Sequence, residues 1–562
     1  MPSPLFPEAP PKLEPTSTED LDKALNRLQL GKQSWPSVPP AKRAVLLREC
    51  LTDLLVLADE WIDKCCKAKG IRRGDPSEGE EWTGGFLPLI RYIRMLIDTL
   101  NANGQPKIPK LHKNEQGQWI ATVFPADLKE KLMMAGVSAE IWIEPGKEPT
   151  QGNIYRQHTD GKVSVVLGAG NSGSIPTMDT LYKLFVENEV VILKMNPVNE
   201  YLGPYIVRAF RALIEGNYVS VVYGGVKTGK YLCSHQLVDT IHVTGSATTH
   251  DAIVWGTDNQ AERKQSNEPV NPRRITSELG CVTPILVVPG PWNEADIDFQ
   301  ARQIVSMVTQ NASFNCNAGD VVLLPSKWEH STTLQERIAH HLNLRPGRKA
   351  YYPGALERYQ QFKKAYPNAI VCGKEQDGVI PWTIFPDVKS ETGEFAFTEE
   401  PFCGIVSITS LDAETPDDYL KRATAFCNEH IWGSLSINIL IHDKTQKQYK
   451  NAFQNALQQL KYGTIGVNCW DGLNYGLVSP SWGAYPGHTL DDVVSGIGSV
   501  HNSFLIDHPQ KSVVYAPFRI NPTPAWFFDN KNSIALGKAL VEYESKPSWL
   551  GLIALLPKAM KG

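Results

Sequence analysis

From Lys162 to about Gly290, short β-branched runs alternate with stretches of helical spacing, and no other feature limits the possible folds as much. Val163-Ser-Val-Val-Leu, Val190-Val-Ile-Leu-Lys194, Val219-Ser-Val-Val-Tyr and Thr240-Ile-His-Val-Thr read as strands. Thr177 to Val186 and Gly203 to about Glu215 read as helices between them. Strands alternating with helical segments form βαβ units and a mostly parallel sheet. The pattern resumes after Ile285-Leu-Val-Val, with a helix near Asp296–Gln310 and strands at Val321–Leu324 and Gly404–Ile408. A second α/β domain is therefore expected.

The rest of the chain is less regular. An acidic stretch from Ser17 to Asp22 suits a helix start. Apolar residues from Ala41 to about Lys69 fall at helical spacing, and Gly70 stands where such a helix ends. Phe86 to Leu100 reads as a second helix, and residues 137–160 look extended. The tail from 503 holds a strand-like Ser512-Val-Val-Tyr-Ala, an amphipathic stretch and the apolar Trp549-Leu-Gly-Leu-Ile-Ala-Leu-Leu556.

Composition narrows the function classes. The 562 residues allow several domains, and 42% apolar with 21% charged residues is ordinary for a globular chain. Lys plus Arg (56) nearly balances Asp plus Glu (60), so no basic footprint for nucleic acid is present. The opening Met1 to Pro7 lacks the basic and apolar regions of a secretory signal. The ten cysteines are scattered, which fits reduced thiols and a cytoplasmic setting. No CxxC or HExxH occurs, so no metal site is expected.

Two glycine loops look like phosphate cradles. Gly168-Ala-Gly170-Asn-Ser-Gly173 is a literal GxGxxG between a strand and a helix. The dinucleotide fingerprint also needs an acid at the end of the second strand, and that strand ends in Lys194. Gly224-Gly-Val-Lys-Thr-Gly229-Lys230-Tyr231 ends in a tyrosine where a P-loop needs a hydroxyl for magnesium. Neither motif is complete.

A dispersed constellation carries more. Asn171 follows one strand and Lys194 ends the next. Thr244-Gly245-Ser246 and Ser277-Glu278-Leu279-Gly280 follow, and then Phe314-Asn-Cys316-Asn-Ala-Gly. Glu399-Glu400-Pro-Phe402 and Gly463-Thr-Ile-Gly-Val-Asn468 come later. In order and spacing this resembles the aldehyde dehydrogenase superfamily, from about residue 40 to about 515. The family's ELGG box appears as Glu278-Leu-Gly-Cys281, its GQxCxA box around Cys316, and its EEPFGP box as Glu399-Glu-Pro-Phe-Cys-Gly404.

The resemblance implies an aldehyde dehydrogenase-like α/β fold with two parallel-sheet domains and a small β oligomerisation element. Its segments would be 1–136 and 161–285 for cofactor binding and 286–500 for the thiol domain. Residues 137–160 and 501–518 would form the oligomerisation element, and 519–562 the tail. It implies NAD or NADP as cofactor, an aldehyde as substrate, and a homodimer or homotetramer. Cys316 becomes the nucleophile, a thiolate that attacks the carbonyl and later leaves from the thioester. Asn171 supplies an oxyanion donor. Glu278 becomes the base that activates water to split the thioester. Lys194 is assigned to the adenine ribose, Gly245 and Ser246 to the pyrophosphate, Glu400 to the nicotinamide ribose and Phe402 to the nicotinamide.

The chain departs from the family in places. Pro197 stands where many NAD-preferring relatives have a glutamate, and His250 replaces a glycine after Thr244-Gly-Ser. Asp258 to Arg274 looks like a loop insertion, and Cys281 and Cys403 replace family glycines. Two alternatives stay open: a coenzyme A-acylating aldehyde dehydrogenase, which generally lacks the Glu278 carboxylate, and a catalytically silent binding or structural relative. The apolar tail is too short to span a bilayer. Followed by Lys558 and Lys561, it suits a hydrophobic substrate, peripheral membrane contact or packing on the protein.

Overall fold

The computed structural model describes residues 12–157, 159–374 and 376–562. Met1 to Pro7, read above for a signal, lies outside the described residues. The α/β architecture is the expected one, with two parallel-rich sheets. The first has six strands in the order Gly496–Ile497, Arg274–Leu279, Thr240–Gly245, Lys162–Leu167, Glu189–Lys194 and Val219–Val222. All run parallel except Gly496–Ile497, which crosses over from the second half of the chain and pairs antiparallel beside Ser277 and Glu278.

The second sheet has eleven strands. Its parallel core runs from Pro509–Tyr515 through Thr464–Val467, Ser436–Leu440, Thr283–Val287, Gly319–Pro325 and Ile405–Leu411 to Trp382–Val388. Ser138–Ile143 adds antiparallel to Pro509–Tyr515, and Trp119–Phe124 and Lys110–Lys113 add beyond it. The extension is thus continuous with the thiol-domain sheet. It includes two strands from the segment assigned above to the cofactor domain.

The expected helices form, with local differences. Ser17 accepts from the Asp20 N–H and starts Thr18–Ser34, and Gly70 adopts φ +65° just beyond Pro40–Ala68. Leu87–Asn101 is preceded by a π-helical turn at Glu81–Phe86. The helix expected over Gly203–Glu215 breaks at Phe210 into Gly203–Ala209 and Arg211–Glu215. Among the described residues of 137–160 only Ser138–Ile143 is a strand of the sheet, and Gly146 and Gly152 turn the chain with positive φ. The insertion at 258–274 is partly helical: Gln260–Ser266 is bounded by Asn259 and Asn267, both left-handed. Asparagine tolerates that conformation better than other side chains.

Both phosphate-like loops have structural explanations. A Cβ at Gly168 would lie 2.9 Å from Pro176, and one at Gly173 would lie 2.9 Å from Leu202. These glycines let the turn pack closely. Tyr231 donates its hydroxyl to Asp22, tying the helix Val226–Ser234 to the N-terminal helix.

Candidate active site

The ends of the first sheet's strands and the Cys316 loop enclose one cavity of about 1450 Å³. Asn171, Lys194, Gly245, Ser246, Glu278, Cys316, Glu400 and Phe402 all line it. Residues separated by hundreds of positions therefore share one wall system, with Cys316 and Glu278 among them.

Cys316 follows an unusual turn. Asn311, Ala312 and Ser313 all have positive φ, between 54° and 68°, immediately after the helix Glu294–Thr309. Three successive left-handed non-glycine residues are costly and need tertiary support. Asn311 supplies it: its amide donates to the Asn171 carbonyl at 3.0 Å, the Phe314 carbonyl at 3.1 Å and Asn315 Oδ1 at 3.1 Å. Its side-chain oxygen accepts from Lys69 Nζ and Tyr351 Oη, both at 2.9 Å. Lys69 pairs with Glu81 at 2.8 Å, with both side chains buried. Burial opposes the Lys69 charge, but Glu81, with Tyr351 and Cys65, outweighs it and holds its pKa above the usual lysine value. On the far side of the thiol, Asn317 donates to buried Asp471.

Cys316 Sγ lies 3.8 Å from Glu278 Oε1. The same oxygen accepts the indole N–H of Trp482 at 2.6 Å. Burial, reinforced by Asp179, pushes the Glu278 pKa up to about 8, against the lowering effect of Trp482. Burial also raises the Cys316 thiol, with Glu278 and Glu400 adding to the effect. Thiol and carboxyl thus form a pair in which neither ionises easily alone, and a proton can pass between them. Asn171 donates to the Phe314 carbonyl at 2.9 Å, which holds its amide beside the thiol loop.

The remainder of the cavity is walled by glycine backbone and a helix N-terminus. No neighbour comes within 4 Å of a Cβ built at Gly225, and at Gly229 and Gly245 the nearest atoms stand 3.9 and 4.0 Å away. These glycines leave room at the cavity wall. Ser246 caps the helix Ala247–Val254, whose N-terminal amides favour anions. Lys194 lines the wall with its pKa lowered by burial. Glu400 reaches back to the Cys281 N–H at 3.3 Å, and the glycine at 280 leaves space for this placement, since a Cβ there would lie 2.1 Å from its carboxylate. Burial lifts Glu400 to about 7. Phe402 takes φ +42°, and Arg358 holds its box by donating to the Pro401 and Phe402 carbonyls.

The departures are absorbed locally. His250 is buried inside the helix Ala247–Val254 with no positive φ, so no glycine is demanded there. Cys281 is accommodated by Gly433, where an added Cβ would lie 2.6 Å from the Cys281 sulfur.

The sequence profile of the aldehyde dehydrogenase family matches residues 171–476. The chain belongs to that family. The family match thus spans the loop of Asn171, both carboxylates and the thiol. Among curated relatives, the N-succinylglutamate 5-semialdehyde dehydrogenase of Novosphingobium aromaticivorans is 26% identical over 195 residues. That match spans 34% of this family member and 38% of the relative. Solved structures agree in fold at low identity. A Mycobacterium tuberculosis aldehyde dehydrogenase complexed with NAD+ superimposes with a TM-score of 0.61 at 17% identity, covering 91% of this chain and 92% of that one. The lactaldehyde dehydrogenase of Escherichia coli gives 0.62 at 14% identity, covering 91% and 94%.

Several residues around this family member's site escaped the sequence reading. Asn311 was within reach, because it stands in the Gln310-Asn-Ala-Ser-Phe-Asn-Cys316 run. Trp482, Asp179, Arg358 and the Lys69–Glu81 pair had no local signal pointing to the thiol.

Proposed function

We propose that the protein oxidises an aldehyde to a carboxylic acid using NAD+ or NADP+, with Cys316 as nucleophile. The observation that carries this reading is the 3.8 Å approach of Cys316 Sγ to a carboxyl whose pKa lies near 8, beside a cleft suited to a dinucleotide.

Glu278 takes the thiol proton and the Cys316 sulfur adds to the carbonyl carbon. The oxygen becomes an oxyanion that receives the second N–H of the Asn171 amide and, by family resemblance, the Cys316 backbone N–H. The bound dinucleotide supplies the hydride acceptor. Loss of hydride from the tetrahedral carbon leaves a thioester on Cys316. Glu278 passes the thiol proton to solvent and, ionised again, takes a proton from water; the hydroxyl adds to the thioester carbon, the C–S bond breaks, Glu278 returns its proton to the departing Cys316 sulfur, and the acid is released. Lys194, Gly245, Ser246, Glu400 and Phe402 would hold the dinucleotide along the cleft. A carboxylate at the thiol favours hydrolysis over acyl transfer to coenzyme A.

The test is a panel of short, long and aromatic aldehydes with NAD+ and NADP+, run on the parent and on Cys316→Ser. The parent should reduce cofactor with at least one aldehyde, and Cys316→Ser should keep less than a few per cent of kcat while binding cofactor normally, because a hydroxyl is a far weaker nucleophile. A fully active serine variant would remove Cys316 from the reaction.

A further inference from the structure

The C-terminal helix Trp549–Ala559 buries only Leu552 and Leu555, which pack with the preceding helix Ser533–Ser545 in a small cluster of their own. Its other apolar residues face outward: Trp549, Leu550, Ile553 and Leu556, with Met560 just after the helix, are each more than half exposed. The helix Leu128–Met133 packs beside it, and Lys129 approaches the Trp549 ring, with its Nζ 6.0 Å from the ring centroid. That second helix exposes Leu128 and Leu132 to a similar degree. These two short, adjacent elements thus concentrate the large exposed apolar side chains of the described residues. Scattered surface apolar residues need no explanation, but a contiguous patch marks an interaction site.

The platform beneath is fixed. Arg91 pairs with Glu130 of Leu128–Met133 and with Glu544 of Ser533–Ser545, the helix on which Trp549–Ala559 packs, both at 2.6 Å, and Arg94 also holds Glu544 at 2.7 Å. All three of Arg91, Glu130 and Glu544 are buried. Leu128–Met133 is therefore tied to the helix that carries Trp549–Ala559, and both sets of apolar residues rest on that support.

The charge around the patch selects the occupant. The C-terminal helix carries no acid, and the one acid of Leu128–Met133, Glu130, is turned inward onto Arg91. Lys129, Lys131, Lys558 and Lys561 flank the apolar residues, and Asp127 is paired with Lys129 at 2.9 Å. A second copy meeting this face across a two-fold axis would set the lysines against each other. No helix among the described residues is long and apolar enough to cross a membrane. An apolar face ringed by lysines, with a tryptophan beside it, has the makeup of a helix lying in a lipid interface. We infer that this two-helix face docks the protein peripherally on an anionic membrane surface. The inference stands apart from the catalytic reading, because no residue of the patch lines the cavity.

Co-sedimentation of the full chain with vesicles of phosphatidylcholine alone, or mixed with phosphatidylserine, tests this. Binding should favour the phosphatidylserine vesicles and weaken with added salt. Ile553→Asp and Leu550→Asp should each cut partitioning at least tenfold, with unchanged thermal stability and aldehyde oxidation. Reversal of Lys129 or Lys558 to Glu should weaken binding at least fivefold each, the factor for ~1 kcal/mol per lysine. No binding to phosphatidylserine vesicles, or binding indifferent to Ile553→Asp, overturns the inference. So does a dimer in light scattering that Ile553→Asp dissociates while vesicle binding is absent, which would assign the face to a second copy.

Discussion

Trp482 and Cys316 meet at a single oxygen: Glu278 Oε1 accepts the indole N–H at 2.6 Å and lies 3.8 Å from the thiol sulfur. The indole stabilises the ionised carboxylate, while burial and Asp179 destabilise it. Trp482→Phe keeps an aromatic ring in place, at the cost of a small cavity, and removes the donor. A hydrogen bond to a charged group contributes ~1.5–3 kcal/mol, so the carboxyl should rise further and kcat at neutral pH should fall roughly tenfold or more. The rising limb of the pH–kcat profile should move to higher pH, with the rate recovering on the alkaline side. A uniform loss at every pH would show that the indole only packs.

Glu278→Gln should affect acid release more than the first hydride transfer. In a single-turnover experiment, reduced cofactor should appear in a burst and acid should follow slowly. Loss of the burst itself would mean that Glu278 is needed mainly to activate the thiol. The substitution also has a stability signature. The folded-state pKa of about 8 lies above the usual 4.5, so Glu278 favours the fold most below the usual value, and that contribution is lost as pH rises through about 8. The Tm of Glu278→Gln should therefore gain on the parent between about pH 5 and about pH 9. A Tm difference independent of pH would contradict the raised value.

Lys69→Met should act on the thiol from a distance. It leaves Glu81 buried without its partner and removes one of the two donors to Asn311 Oδ1. Breaking a buried pair by removing one member costs about 3–5 kcal/mol. Urea unfolding should show this loss, and the folded fraction should show a lower kcat with KM for the cofactor little changed, because Lys69 does not line the cleft. Restoring the charge with Lys69→Arg should recover part of the kcat. Wild-type kcat in Lys69→Met would separate the network from catalysis.

NADP+ should be accepted about as well as NAD+, or better. Pro197 lines the cleft where an acid would repel a 2′-phosphate, while Lys194 and Lys230 line it with positive charge. The nearby acid, Glu200, accepts the Leu13 N–H at 3.2 Å and lies off the wall. A kcat/KM preference for NAD+ above about a hundredfold would refute this electrostatic argument.

Much of this arrangement was legible because it is local. The β-branched strands, the Gly70 stop and the thiol box each carry their signal within a few residues. Lys110–Lys113 was not legible, because a mostly exposed edge strand needs no apolar alternation. Nor was Trp482: its hydrogen bond to Glu278 joins residues 204 apart, and Ser481-Trp-Gly483 carries no motif. The break at Phe210 and the helix Gln260–Ser266 depend on single backbone dihedrals that neighbouring residues do not announce.

The pairing of Ser138–Ile143 with Pro509–Tyr515 also bears on biosynthesis. Ile141 faces Ser512, so the earlier strand finds this neighbour only after about 370 further residues have been translated, as the register requires. Until then that strand presents an open edge, the template on which unrelated chains aggregate. Closure of so long a loop is slow, and contact order of this kind delays folding. Molecules truncated before residue 509 should therefore collect as chaperone-bound or insoluble material, even though both sheets would already be largely translated.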